Sequence, residues 1–327
     1  MKVQNAFKDF KNLKVLIVGD VMIDSYLWGK VNRISPEAPV PILSVEKREK
    51  RLGGAANVAL NVKAMGATPI LCSVIGDDQD GRDFLDLLQK SEMPIEGIVS
   101  SRERPTTIKH RIIAKKQHVL RVDSESEKDL SKSENMDLIH KFNQLVKNVD
   151  VVIFQDYDKG VLHENNISQL IEICNKQGVP STVDPKKKNF SRYRNVTLFK
   201  PNLSELKAGL KIDLEEVNNA SLNEAVKQLR EHLPHQKTLL TLSEYGAAYA
   251  EQGLFLHTPA HKRKIIDVSG AGDTVISIIS LCIALDLDAK FNLALSNLAG
   301  GLVCEHVGVV PIDKNTLLDE AIRLKLK

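Results

Sequence analysis

The sequence predicts an α/β protein: a doubly wound, mostly parallel central sheet with helices on both faces, carrying a small β-sheet lid. Three observations lead there. The run Lys14-Val15-Leu16-Ile17-Val18-Gly19 is apolar without alternation and ends on glycine, as a strand buried on both faces does. From residue 149 onward, short apolar runs alternate with helical patterns, the rhythm of βα units whose crossovers wrap a parallel sheet. Between the first strand and the first long helix lie β-like runs separated by Pro36, Pro39 and Pro41, which predict a small sheet apart from the main one.

Taken in order, residues 25–29 and 40–45 read as two short lid strands. Tyr26 and Trp28 read as lid packing. Gly53-Gly54-Ala55-Ala56-Asn57 then opens a helix to Met65, stopped by Gly66, with Val58, Val62 and Met65 on one face. Residues 69–75 form the next strand. Gly76-Asp77-Asp78-Gln79-Asp80-Gly81 has the look of a calcium loop, but its first and twelfth positions are Gly76 and Leu87, so that reading is discarded. Residues 106–113 and 119–122 are a second pair of lid strands, and 123–134 is a surface connection into a helix. Strands follow at 149–154, 179–183, 196–199 and 238–242, with helices at 163–176 and 214–232. An antiparallel pair occupies 247–250 and 254–256. With no internal repeat or low-complexity linker, residues 1–327 read as one domain, the lid drawn from residues 24–46 and 105–123.

Composition narrows the function. Hydrophobic residues make up 43% and charged residues 27%, so a full core is expected. The formal charge of +3 does not mark nucleic acid as a partner. Cys72, Cys174, Cys282 and Cys304 lie far apart with no metal spacing and read as buried reduced thiols. The charged N-terminus, Met1 to Phe10, lacks the apolar core of an export signal, and no run reaches the about 18 apolar residues of a membrane span. A cytoplasmic protein without membrane contact is expected.

The chemistry concentrates in Asp267-Val268-Ser269-Gly270-Ala271-Gly272-Asp273-Thr274, followed by the apolar run 275–285. Two glycines open a buried helix whose first turn carries a carboxylate. Unpaired N–H groups and the helix dipole favour an anion there, and the absent Cβ atoms let it approach the backbone. Asp273 would repel a bound phosphate but could take a proton from a hydroxyl attacking it. It could equally cap the helix, and the octapeptide alone leaves both readings standing.

GxxxxGK[ST], a GxGxxG after the first strand, GxSxG and HExxH are all absent. What remains resembles the two signatures of the ribokinase-like (PfkB) carbohydrate kinases: Gly53-Gly54-Ala55-Ala56-Asn57-Val58-Ala59 with Gly66 and Gly76, and Asp267 to Asp273. Within that family, Gly19 to Asp24, Arg33 to Pro41, Asp156-Tyr157-Asp158-Lys159-Gly160, Asp184-Pro185-Lys186 and Pro201-Asn202-Leu203-Ser204-Glu205 are most similar to the heptose 7-phosphate kinases of ADP-heptose synthesis. The resemblance spans essentially the whole chain and covers a kinase half without a nucleotidyltransferase domain.

The resemblance implies an ATP- and Mg²⁺-dependent sugar-phosphate kinase and leaves a monovalent cation requirement open. Asp273 matches the general base and Gly270, Ala271 and Gly272 the anion hole. Asp24, Gly53, Gly54 and Asn57 match positions that hold sugar hydroxyls. Asn202 and Glu205 match the motif that organises Mg²⁺, mainly through water. Thr241, Ser243 and Gly246 match a nucleotide loop, and Asn297 the helix beside adenine. Two departures are Ser243, where many relatives carry Gly, and Ser277-Ile278, where small residues are usual. For the substrate's own phosphate the candidates are Lys109 and Arg111, which alternate on one face of a lid strand, with Lys186 as backup; Lys159 and Lys186 read equally as surface lysines or as phosphate contacts. The open apolar face of the lid predicts a homodimer. Two rivals are kept: another sugar kinase of this fold, acting on fructose or ribose, and a catalytically silent binding relative.

Overall fold

The computed structural model describes residues 3–114 and 117–326. Met1 and Lys2 of the N-terminal stretch, Lys115 and Lys116 within the expected lid, and Lys327 lie outside the described residues. β1 (Lys14–Gly19) is central because both its faces are apolar: Val15 and Ile17 enter one core, Leu16 and Val18 the other. Around it β4 (Thr68–Gly76), β5 (Ile98–Ser101), β8 (Val151–Gln155), β9 (Ser181–Asp184), β10 (Leu198–Phe199), β11 (Lys237–Thr241), β12 (Ala247–Glu251) and β13 (Leu254–Thr258) complete the sheet. The spatial order is β13-β12-β11-β10-β9-β8-β1-β4-β5, with every pairing parallel except those of β12, which runs antiparallel to both β11 and β13.

Helices α1 (Val3–Asp9), α2 (Ala55–Ala64), α3 (Gln79–Lys90), α8 (Ala271–Ala284), α9 (Ala289–Val303) and α10 (Lys314–Arg323) fill one core. On the other face lie α4 (Lys132–Leu145), α5 (Glu164–Gln177), α6 (Leu203–Leu210) and α7 (Asn219–His232). All four cysteines are buried and free, and burial pushes the Cys72 and Cys174 thiols up to about 12.

The lid is a second sheet, β2 (Val21–Ile34), β3 (Pro41–Gly54), β6 (Ile108–Ala114) and β7 (Gln117–Ser124), in the order β3-β2-β6-β7. Its register puts Asp24, Tyr26 and Trp28 on one face with Arg51, Lys109 and Arg111. Tyr26 and Trp28 stack at 6.0 Å. On the opposite face α3 covers the base, where Lys50 pairs with Asp80 and Asp83 at 2.8 and 2.6 Å. Farther out Val45, Leu120 and Val122 are exposed.

Several boundaries differ from expectation, for local reasons. The first two lid strands each run 14 residues, because the charged stretch 46–51 still alternates between two wetted faces. Gly53 and Gly54 end β3, and the helix begins at Ala55. α7 starts at Asn219 and not at 214, because Asn218 Oδ1 accepts the N–H groups of Ala220 and Ser221. The discarded calcium loop is a helix start, where Asp78 accepts from Gly81 N. α1, α3, α6 and β5 were not foreseen.

Candidate active site

The carboxyl ends of the parallel strands, where open α/β sheets gather ligands, converge on Asp273. Gln155 ends β8 and Tyr157 follows it; Asp184 ends β9, Lys200 follows β10, and Thr241 ends β11. Asp273 is only 8% exposed. Its Oδ1 accepts from Tyr157 Oη at 2.6 Å and Gln155 Nε2 at 3.3 Å, and its Oδ2 accepts from Asn57 Nδ2 at 2.6 Å. Burial pushes the carboxyl up to about 6, while the hydrogen bonds from Tyr157 and Asn57 pull it back. A carboxylate poised near neutrality suits proton acceptance better than simple capping.

The two glycine motifs meet through their helices. Asn61 Oδ1 accepts from Thr274 Oγ1 at 3.1 Å and from Ile312 N at 3.0 Å, while its Nδ2 donates to Asn57 O. Ser277, one of the two departures, has a single hydroxyl proton that goes to Asp273 O in its own helix at 2.6 Å, with Val58 O of α2 at 3.2 Å beside it. Gly270 is the N-cap of α8 at φ +81°, a conformation that suits glycine, and no side chain caps the helix. A Cβ on Gly272 would sit 3.6 Å from Asp184 Oδ2 and 3.8 Å from Lys200 Nζ. Those two side chains form a buried ion pair of 3.0 Å beside the helix start. Ala271 begins the helix between the two glycines.

Asn202 and Glu205 open α6 as a reciprocal cap: Asn202 Oδ1 accepts from Glu205 N at 2.8 Å, and Glu205 Oε2 accepts from Asn202 N at 2.9 Å. Glu205 Oε1 pairs with Lys186 Nζ at 3.0 Å, and that ammonium lies 5.7 Å above the Tyr157 ring. Burial works against the Lys186 charge, yet Asp184 and Glu205 outweigh it and hold the ammonium above its ordinary value. Lys186 thus stands at the base end of the site and not with the lid cations. Among the described residues no three His, Cys, Asp or Glu side chains cluster as a metal cage. Thr241 bridges to Asn202, and the turn after it holds Ser243 at φ +53°, the backbone region in which glycine is free. Leu242 N closes that turn on Gly246 O at 2.8 Å, and Asn297 Nδ2 donates to Pro259 O at 3.0 Å.

At the lid end Asp24 pairs with Arg111, and Gly53 lies beside it, where a Cβ would meet Asp24 Oδ2 at 2.7 Å. Gly54, at φ +60°, packs on Asp20 O. The guanidiniums of Arg51 and Arg111 both lie over the Tyr26 ring, at 4.9 and 5.5 Å. Gly308, whose N–H donates to Asp267 Oδ2 at 2.8 Å, lies close to Arg51, tying this end to the octapeptide. Lys109, by contrast, is held by Asp123 at 3.0 Å and Glu125 at 2.9 Å, and Lys159 by Glu125 and Glu127.

Sequence reasoning gave no role to Gln155, Tyr157, Asp184, Lys200 or Arg51. Their positions at strand ends, or opposite Asp24 in the lid, were the available signals. Asp20 is a strut: buried, it accepts the N–H groups of Tyr157, Lys159 and Val161 at 2.9, 3.2 and 3.0 Å and fixes the loop that carries Tyr157.

Comparisons with known proteins bear on family and fold. Residues 12–315 match the model of the pfkB family carbohydrate kinases. "Bifunctional protein HldE" of Helicobacter pylori (strain HPAG1) is 39% identical over 295 residues, covering 90% of this chain and 63% of the relative. The namesake from Aliarcobacter butzleri (strain RM4018) is 38% identical over 310 residues, covering 95% of this chain and 64% of its own. The chain therefore spans less than two thirds of these relatives. Among solved structures, phosphofructokinase-2 from Escherichia coli in complex with potassium superposes with a TM-score of 0.79 at 17% identity, covering 96% of this chain and 99% of that one. Arabidopsis thaliana ribokinase complexed with ribose and ATP gives 0.70 at 17% identity, covering 94% and 98%. These two establish the ribokinase-like fold. The family match and the HldE relatives establish more: the chain belongs to the pfkB family carbohydrate kinases, phosphotransferases that act on a sugar hydroxyl.

Proposed function

We propose that the chain transfers the γ-phosphoryl group of ATP to O1 of D-glycero-D-manno-heptose 7-phosphate, giving the 1,7-bisphosphate for ADP-heptose synthesis in the cytoplasm. The observation that carries a phosphorylated substrate is the Arg51–Tyr26–Arg111 group, two cations on the lid face shared with Asp24. A sugar phosphate brings about two negative charges that such a fork can meet. Arg51 and Arg111 each already meet one carboxylate, Glu49 and Asp24, whereas Lys109 is bound to two and is the weaker partner for it. The heptose itself is supported by the resemblance of residues 19–24, 33–41 and 156–160 to that subgroup.

Asp24, Gly53, Gly54 and Asn57 line the sugar end in this reading. Asp273 takes the O1 proton as that oxygen bonds to the γ-phosphorus; the bond to the bridging oxygen breaks and ADP leaves. N–H groups of the open α8 start, at Gly270 and Gly272 and at Ala271 once its 3.3 Å bond to Val268 O gives way, meet the charge on the transferred group. Asn202 and Glu205, through water, and Lys186 fit the polyphosphate side, with Thr241, Ser243, Gly246 and Asn297 toward the nucleoside. Mg²⁺, arriving with ATP, supplies charge neutralisation on the phosphates. The exposed lid face at Val45, Leu120 and Val122 is covered by a second copy of the chain, so light scattering at micromolar concentration should give a dimer.

Coupled ADP release across a panel of sugars and sugar phosphates tests this function. Heptose 7-phosphate should lead by a wide margin. Equal turnover of the unphosphorylated heptose, or preference for fructose or ribose, would hand the site to another sugar kinase of the fold.

A further inference from the structure

The contacts of the Asp273 carboxylate divide unevenly between its two oxygens. A carboxylate oxygen offers two acceptor positions. On Oδ1 both are taken, by Tyr157 Oη at 2.6 Å and Gln155 Nε2 at 3.3 Å. On Oδ2 only Asn57 Nδ2 is present, at 2.6 Å. One acceptor position therefore remains, and it is on Oδ2. Beside it Asn57 Oδ1 is buried with no hydrogen-bond partner among the described residues, an acceptor free for a second substrate hydroxyl.

Tyr157 is itself held in place. Its backbone N–H is tied to Asp20, and its ring carries the Lys186 ammonium at 5.7 Å. Burial and the adjacent Asp273 carboxylate keep its phenol protonated, so it donates throughout the working pH range.

Taking Asp273 as the base, we propose that Tyr157 is a positioning residue: together with Gln155 it saturates Oδ1, fixes the plane of the carboxylate, and leaves Oδ2 as the oxygen that receives the substrate proton. In the transfer the hydroxyl O–H breaks, its proton moves to Oδ2, the oxygen bonds to the γ-phosphorus and ADP departs with the electron pair. Tyr157 keeps its own proton.

The test needs no substrate for its first readout. The side-chain carboxyl of Asp273, assigned by its loss in Asp273→Asn, is titrated by ¹³C NMR in the wild type and in Tyr157→Phe. Asp184, Lys200 and Lys186, the other charges facing Asp273, are unchanged between the two. The variant should bind the proton about tenfold more tightly, since a donor to the charged form is gone. Its kcat should fall near pH 7 and recover as pH rises, with KM for ATP unchanged. Coincident titration midpoints, or a kcat loss equal at every pH, would overturn the positioning role. Should the phenylalanine variant fail to fold, 3-fluorotyrosine at 157 keeps the shape, stays protonated beside the carboxylate and is a stronger donor, so the midpoint should move down; no movement overturns the proposal. Wild type inactive on the whole sugar panel would instead defeat the kinase reading while leaving the titration result standing.

Discussion

Among the helix starts that carry motif residues, α6 and α8 treat their backbone N–H groups in opposite ways. At α6 the start is closed: Asn202 and Glu205 cap each other, and the one free carboxylate oxygen of Glu205 is turned to Lys186. At α8 the start is open: Gly270 offers no side chain to cap it, and Gly272 leaves a space rimmed by Asp184 and Lys200. Side-chain caps also close α3, α4, α5, α7, α9 and α10, whereas α2, like α8, starts on an uncapped glycine. Glycine in place of a capping side chain costs only a few tenths of a kcal/mol, roughly 0.3. The chain leaves caps off where α2 and α8 meet at Asp273, which is where the proposed transfer would place an anion.

The sharpest way to break this contrast is Asp273→Asn. It keeps the shape of the open turn and removes the proton acceptor, so turnover should fall ~10²–10⁴-fold while calorimetric ATP binding stays close to wild type. Near-normal turnover would return Asp273 to the role of a cap.

Next in size is Gly272→Ala. Its Cβ would make only ordinary contacts at 3.6 and 3.8 Å, and alanine favours helix, so thermal stability should hold or rise. The methyl fills the anion position, and turnover should drop about 10²-fold. Gly270→Ala should differ by losing stability as well, because φ +81° strains any side chain.

The pH profile comes third. The Asp273 carboxyl is raised to about 6, so its proton-accepting form fills above that pH and empties below it. kcat/KM should be level from pH 7 to 8 and fall about tenfold per unit below 6. A profile level down to pH 5 would contradict the base.

The closed start should give the smallest effects. Asn202→Ala should cost about 1 kcal/mol of stability, read from urea unfolding. Glu205→Gln keeps the reciprocal cap but loses the Lys186 ion pair, so it should raise the Mg²⁺ requirement without changing which sugar is preferred. A change in sugar preference would contradict its place on the nucleotide side.

What could be read from sequence follows the same division. Gly53-Gly54 and Gly270-Ala271-Gly272-Asp273 are local patterns, so helix starts and an acid at one of them were visible without coordinates. The partners of Asp273 were not, because Asn57, Gln155 and Tyr157 reach it only through the parallel sheet and the packing of α2 on α8. Arg51 was hidden in a run of charges whose alternation between lid faces shows only once Asp24 is seen opposite it. Some misses were avoidable. Val3, Phe7 and Phe10, like Phe84 and Leu88, recur at helical spacing and are buried, as α1 and α3 require. The Asn202–Glu205 spacing is also a capping box, readable as a helix start for α6.

The most direct test of the open-versus-closed account follows backbone amides by ¹⁵N–¹H NMR as ADP, Mg²⁺, the sugar phosphate and aluminium fluoride are added, the fluoride standing in for the phosphoryl group in flight. The account predicts the largest shifts at the amides of Ala271, Gly272 and Asp273, abolished at matched ligand saturation in Gly272→Ala, with Leu203, Ser204 and Glu205 amides far less affected. Large shifts at the start of α6 with none at the start of α8 would contradict it.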